Sequence, residues 1–166
     1  SPYGAHKRMT ELECEIYSAL YNIDTVSLRY FNVYSEDQKY GGAYSTVISA
    51  WLEKIKNNAP LRLDGDGIQT RDFIHVDDIV DANLHCMNYK HNFNGQVYDV
   101  GTGQAHTLNE IKDYIDNVFD VIWDMRPSRD GDIKNSRADT SSLDGIGWRA
   151  KIDLKTGLRR CIASVT

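Results

Sequence analysis

The run Tyr3-Gly4-Ala5-His6-Lys7 sets a tyrosine and a lysine four residues apart near the start of the chain. On a helix that spacing puts both side chains on one face. A tyrosine is a weak acid with a pKa of about 10, and a neighbouring lysine or a bound cationic ring favours its phenolate. Such a pair can pass a proton to and from a substrate hydroxyl. Three other segments carry groups suited to phosphate and ribose. Asn32 ends the strand-like run Leu28-Arg29-Tyr30-Phe31-Asn32, the place where parallel sheets present groups to ligands. Arg71 follows the turn Gly65-Asp66-Gly67, and a guanidinium there can grip phosphate with two parallel bonds. Arg129 and Asp132, in Arg129-Asp130-Gly131-Asp132, offer a cation for phosphate and an acceptor for a ribose hydroxyl. Taken singly, each segment also fits an ordinary surface pair, a turn or a solvated loop. Neither glycine pair is a dinucleotide fingerprint. Thr70 stands where the third glycine after Gly65-x-Gly67 belongs, and His106 does so after Gly101-x-Gly103.

The elements that must position these groups alternate between two periods. Met9, Leu12, Ile16 and Leu20 recur at helical spacing and predict a helix over roughly residues 3–21, closed by Asn22. The β-branched and aromatic run from Thr25 to Phe31 predicts a strand. Residues 34–43 read as a loop. Tyr44, Val47, Ile48, Trp51, Leu52 and Ile55 form a second helical stripe, stopped by Pro60. Leu61–Leu63 and Phe73–Val76 read as short strands, and Asp77 as the cap of a helix carrying Ile79, Val80, Leu84 and Met87. Gln96–Val100 is a further strand. Thr107-Leu108-Asn109-Glu110 is a capping box that opens another helix. Val121–Met125 reads as a strand, residues 126–138 as a polar loop, and a last helix starts near Asp153. Strands alternating with helices make an α/β chain with a mostly parallel sheet. The 166 residues suffice for one domain with its own core, expected as a single unit over 1–166.

Charge and cysteine content exclude several classes. Residues 126–166 hold nine Lys and Arg against five Asp and Glu, whereas the remainder is strongly acidic within a net charge of −5. An acidic body argues against nucleic-acid binding. Cys14, Cys86 and Cys161 are far apart, and the histidines have no zinc-ligand spacing with them, so neither a disulfide framework nor a metal is expected. A reduced, cytoplasmic compartment follows. No run of apolar residues is long enough to span a membrane and no secretory leader is visible. The start at Ser1-Pro2-Tyr3, without an initiator Met, is read as that of a fragment, a processed product or an excised domain.

Order adds information that the single motifs lack. Ser-Pro-Tyr-Gly-Ala-x-Lys, Leu-Arg-Tyr-Phe-Asn-Val-Tyr, Gly-Asp-Gly-x-x-x-Arg-Asp-Phe-Ile-x-Val-Asp-Asp, Tyr98-Asp99-Val100-Gly101-Thr102-Gly103, Arg-x-Gly-Asp, Gly147-Trp148 and Gly157-Leu158-Arg159 follow one another along the chain. Together they resemble the extended short-chain dehydrogenases, the NAD-dependent nucleotide-sugar epimerase/dehydratase family, and within it the UDP-glucose and UDP-N-acetylglucosamine 4-epimerases. The resemblance covers the whole chain and corresponds to the C-terminal half of such an enzyme. It implies the C-terminal part of a Rossmann-like doubly wound sheet plus a smaller α/β substrate-binding domain, with the N-terminal NAD-binding half absent.

The resemblance also implies roles. Tyr3 matches the catalytic acid/base, and Lys7 the residue that binds the nicotinamide ribose. Phe31 matches a nicotinamide contact, and Asn32 the group that holds the diphosphate. Thr46 and Val47 open the helix lining the nucleotide pocket, and Leu61 and Leu63 match the strand flanking uracil. Arg71 and Arg129 match the diphosphate arginines, and Asp132 the carboxylate on the uridine ribose. Ser136 falls beside the sugar's C2 substituent, where a small residue leaves room for an N-acetyl group. The implied reaction is C4 epimerisation of a UDP-sugar by transient oxidation with NAD. The alternatives are a 4,6-dehydratase or decarboxylase fragment and a non-catalytic nucleotide-sugar-binding module. Ser35 and residues 36–43 depart from the family's Gly-Pro-Arg-Gln loop. The isolated chain is expected to be inactive and to bind NAD weakly or not at all. Its partners are expected to be a UDP-sugar and either a second subunit or the missing half. Exposed apolar surface is expected around Met9, Leu12, Ile16 and Leu20.

Overall fold

The computed structural model describes residues 2–38, 46–129 and 131–165. Helix α1 (Pro2–Tyr21) is rich in good helix formers such as Ala5, Lys7, Arg8, Met9, Glu11 and Leu12. It stops at Asn22, whose φ of 53° is the left-handed conformation that ends many helices. Glu11 is its single buried residue.

The strand expected over Thr25–Phe31 is shorter, and a second strand that sequence reading leaves out follows it directly and takes in Tyr34 of the expected loop. Strand β1 (Ser27–Tyr30) runs parallel to β6 (Val97–Val100), and β2 (Asn32–Tyr34) runs parallel to β5 (Phe73–His75). The Phe31 N–H still donates to the Val100 carbonyl at 3.1 Å, whereas the Asn32 N–H donates to the Asp72 carbonyl at 3.0 Å. The chain therefore changes strand partner between Phe31 and Asn32. Strand β3 (Leu61–Asp64) pairs in parallel with β8 (Trp123–Arg126), and β4 (Thr70–Arg71) pairs antiparallel with β7 (His106–Thr107). Three of the four ladders among the described residues are parallel, as the α/β reading requires. The two-residue strands β4 and β7 are too short to show a hydrophobic period.

The remaining helices are α2 (Val47–Lys56), α3 (Val76–Met87), α4 (Leu108–Asp116), α5 (Ser141–Gly145) and α6 (Leu154–Ala163). Tyr44, expected in the α2 stripe, and residues 39–43 of the expected loop lie outside the described residues. The cap expected at Thr107 is present, and Asp153, near which the last helix is expected to start, caps α6: each side chain accepts from a first-turn N–H, that of Glu110 at 3.1 Å and that of Thr156 at 2.7 Å. Asp77 is not the cap of α3. His75 is, because its Nδ1 accepts from the Asp77 N–H at 3.2 Å. Asp77 instead sits in the first turn, where its charge suits the helix dipole and pairs with Arg160 at 3.0 Å. Helix α5, a single short turn, falls in a stretch that sequence reading leaves without an element.

Side chains alternate across β2 and β5, and this divides the interior into two cores. Tyr34 and Phe73 face one core with Trp51, Leu61, Leu63, Ile111 and Leu158. Val33 and Ile74 face the other, with Val100, Leu143 and Trp148. Helix α6 packs closely against β2, and a Cβ at Gly157 would lie 2.0 Å from the Tyr34 hydroxyl. Among the described residues no helix is long and apolar enough to cross a membrane.

Candidate functional site

A cavity of about 910 Å3 opens where the two parallel ladders of β1 and β2 meet, bounded by α2, β3 and the segment after β8. Tyr3 reaches it from α1, and Phe31 and Asn32 from the change of strand partner. Thr46, Val47 and Ala50 come from the start of α2. Leu63 comes from β3, Arg71 from β4, and Arg129 and Asp132 from the segment after β8. Residues separated by more than a hundred positions in the chain thus share one wall.

Three expected site residues stand off that wall. Lys7 lies one turn along α1 from Tyr3, with its Nζ 5.6 Å from the centre of the Tyr3 ring. Leu61 is fully buried and packs in the core beneath β3. Ser136 is half-buried, and its N–H donates to the Thr70 carbonyl at 3.2 Å, beside Arg71.

The polar groups of the wall are held in place by bonds within the chain. The Asn32 Nδ2 donates to the Asp72 carbonyl at 3.0 Å, which fixes the plane of its amide. Arg71 donates to Asp132 Oδ1 at 2.7 Å, to the Thr70 carbonyl at 2.8 Å and to the Ile133 carbonyl. Arg129 donates to Asp64 Oδ2, and Arg62 donates to Asp64 Oδ1 at 2.7 Å. Burial pushes the Asp64 carboxyl up, but the guanidinium groups of Arg62 and Arg129 outweigh it and hold the group below its ordinary value. Both arginines expected to meet a diphosphate therefore stand paired with carboxylates, Arg71 with Asp132 and Arg129 with Asp64. The Thr46 hydroxyl donates to Gln38 Oε1 at 3.2 Å at the N-terminal end of α2.

Sequence reasoning missed Gln38, Arg62, Asp64 and Gln69 on the same wall. For Arg62 and Asp64 a signal exists: they alternate with Leu61 and Leu63, so a strand that buries the leucines turns the charged pair the other way. The Gln69 side chain donates to the Asp64 carbonyl at 2.7 Å across the turn, a contact that only the folded turn creates.

An ion pair ties α1 to β1, beside the bonds that Ser18 and the Cys14 carbonyl make with Thr25. Glu11 accepts from Arg29 of β1 through both oxygens, at 2.6 and 2.8 Å, and from Arg8 at 2.8 Å. The Arg29 guanidinium holds the Glu11 carboxyl far below its ordinary range, at about 2, against the opposing effect of burial.

Comparison with known proteins shows the family of this fold. Residues 1–101 match the NAD dependent epimerase/dehydratase family. The chain is 37% identical over 167 residues to a putative UDP-glucose 4-epimerase of Methanocaldococcus jannaschii, covering 98% of this chain and 52% of that protein. Among solved structures, UDP-N-acetylglucosamine 4-epimerase from Methanobrevibacter ruminantium, in complex with UDP-N-acetylmuramic acid, superposes with a TM-score of 0.86. It is 34% identical, over 98% of this chain and 54% of that one. UDP-glucose 4-epimerase from Thermus thermophilus, in complex with NAD, gives a TM-score of 0.87 at 28% identity, over 99% of this chain and 54% of that one. The chain belongs to the NAD-dependent epimerase/dehydratase family, and it spans about half the length of the relatives it matches.

Proposed function

We propose that this chain forms the nucleotide-sugar side of a UDP-sugar 4-epimerase site. The observation that carries the reading is the shared cavity. It brings Tyr3, Phe31, Asn32, Arg71, Arg129 and Asp132 together from four distant segments. In this reading Asn32, Arg71 and Arg129 hold the diphosphate. Charge-assisted bonds from two guanidinium groups suit its oxygens, and the ligand takes over donors now given to Asp132 and Asp64. Asp132, released from Arg71, accepts from a ribose hydroxyl. Leu63 and Val47 flank the base. Tyr3 moves a proton at the sugar's C4 hydroxyl, with the Lys7 cation one turn away.

The residues present fit one end of the dinucleotide. Tyr3 and Phe31 share the wall and Lys7 stands beside Tyr3, as a nicotinamide and its ribose require. NAD supplies reversible hydride acceptance when bound. A Gly-rich turn for its pyrophosphate is not among these residues, so the chain by itself binds NAD weakly and does not turn over. Met9, Leu12, Ile16 and Leu20 of α1 are all exposed, and the same reading takes this stripe as a face that a second subunit or an NAD-binding half covers. Ser136 stands one step off the wall, bonded to Thr70 beside Arg71, and this reading sets its small side chain near the sugar's C2 position, so that UDP-N-acetylhexosamines are accepted alongside UDP-glucose and UDP-galactose.

Calorimetry with UDP-glucose, UDP-N-acetylglucosamine and NAD tests the reading. Both UDP-sugars are expected to bind and NAD to bind far more weakly. Sub-micromolar NAD affinity, or UDP-sugars that give no heat, contradicts it. Ser136→Tyr is expected to lose UDP-N-acetylglucosamine and keep UDP-glucose; equal behaviour toward both would remove Ser136 from the account.

A further inference from the structure

We infer that Asp72 is a positioning residue for the cavity, its buried carboxylate and its carbonyl together setting Asn32, Arg71 and the segment that carries Arg129 and Asp132. The inference deepens the nucleotide-sugar reading and rests on it for the ligand named in its test. Asp72 is fully buried and is not part of the cavity wall. Any effect it has on a ligand must pass through its neighbours.

Those neighbours are unusual in their number and origin. The Asp72 carbonyl accepts from both the backbone N–H and the side-chain Nδ2 of Asn32, each at 3.0 Å. Oδ1 accepts from the Thr102 N–H at 2.9 Å and the Thr102 hydroxyl at 2.7 Å. Oδ2 accepts from the Gly103 N–H at 2.9 Å and the Ala138 N–H at 3.1 Å. A carboxylate removed from water is costly unless donors replace the solvent, and here four of them do so. The packing around it is close. A Cβ at Gly101 would lie 2.8 Å from Asp72 Oδ2 and 2.5 Å from the Ala138 Cβ. The turn after β6, the segment ending at Ala138 and the β4–β5 junction therefore close on one side chain.

The consequence for the cavity follows from parity. Arg71 and Phe73, two residues apart, turn to one side, toward the cavity and the core beneath it, and Asp72 between them turns to the other. The segment from Asp132 to Ala138 is stitched to this stretch at three levels. Arg71 bonds Asp132 and the Ile133 carbonyl, Thr70 exchanges backbone bonds with Lys134 and Ser136, and Asp72 takes the Ala138 N–H. A change at the carboxylate must shift the Asn32 amide, the Arg71 guanidinium and this segment together.

The test follows the Asn32 side-chain amide and Arg71 Nε–H cross-peaks by NMR and titrates the chain with UDP. It compares Asp72→Asn with Thr102→Val, which removes a single hydroxyl donor and serves where Asp72→Asn fails to fold. Thr102→Ser keeps that donor. The Asn32 and Arg71 cross-peaks are expected to move in Asp72→Asn and Thr102→Val and to return in Thr102→Ser. UDP affinity is expected to fall about tenfold in Asp72→Asn and about threefold in Thr102→Val, with Thr102→Ser near wild type. Cross-peaks that stay at their wild-type positions in Thr102→Val overturn the positioning role whatever UDP does. Cross-peaks that move while UDP affinity is unchanged overturn it as well. Should UDP not bind the wild-type chain, the nucleotide-sugar reading fails and the cross-peaks alone decide the role of Asp72.

Discussion

Helix α1 brings Tyr3 to the cavity with one buried residue to anchor it, whereas the β2–β5 ladder brings Asn32 there from between two packed cores. The first region is tied to β1 by charge, through Glu11 and Arg29, and leaves an apolar stripe open to solvent. The second is held by burial on both faces and by the donors that surround Asp72. The contrast separates two halves of one proposed chemistry. The groups suited to a diphosphate belong to a self-sufficient scaffold. The groups suited to proton transfer ride on an element whose apolar face this chain does not cover.

Substitutions that probe the two regions should differ most at the core. Trp51 is almost fully buried, and its indole N–H donates to the Arg62 carbonyl at 2.7 Å. Trp51→Ala is expected to cost about 3–5 kcal/mol in a urea titration, since it leaves a large cavity under β3. Loss of less than about 1 kcal/mol would mean that this region is not the rigid scaffold described.

An intermediate effect is expected at Glu11, and its sign is set by acid. The folded-state value near 2 lies below the ordinary 4.5. The stabilisation is therefore present above the ordinary value and is lost as pH falls toward 2. Wild type should lose more of its urea midpoint over that interval than Glu11→Gln, and amide exchange in α1 should quicken in the variant at neutral pH while the cores keep their protection. Parallel pH profiles would show that the pair does not hold α1. At the small end, Leu20→Ala, on the open stripe, is expected to change stability by no more than about 0.5 kcal/mol. A larger loss would show that the stripe is already covered.

The same contrast explains what could be read from residues alone. Helix α1, β3, β5, β6, the cap at Thr107 and the start of α6 near Asp153 follow from periodicity and local side-chain chemistry, because each is a short-range pattern. The second strand after Phe31 and the change of partner there are not legible, since they depend on Val100 and Asp72 offering carbonyls from distant parts of the chain. The cap of α3 was placed at Asp77 because aspartate is the commoner capping residue. The imidazole of His75 takes that role only because the fold buries it at the helix start. The residues suited to phosphate and ribose were visible from the order of the motifs, but their mutual pairing was not. Nothing in the spacing of Arg129 and Asp64 indicates that the two meet. The motif that contains Asp72 does not single it out, because its importance lies in donors contributed by Thr102, Gly103 and Ala138.

The central claim is that the diphosphate side of the site is complete within this chain. Calorimetric titration of UDP into the wild-type chain and into Arg71→Ala, at low ionic strength, tests it most directly. The wild-type chain is expected to bind UDP, and Arg71→Ala to weaken it by about tenfold or more, the loss typical of a charge-assisted pair. Lys151→Ala, remote from the cavity, should bind as wild type does. A wild-type chain that takes up no UDP, or an Arg71→Ala chain that binds it equally well, would contradict the account.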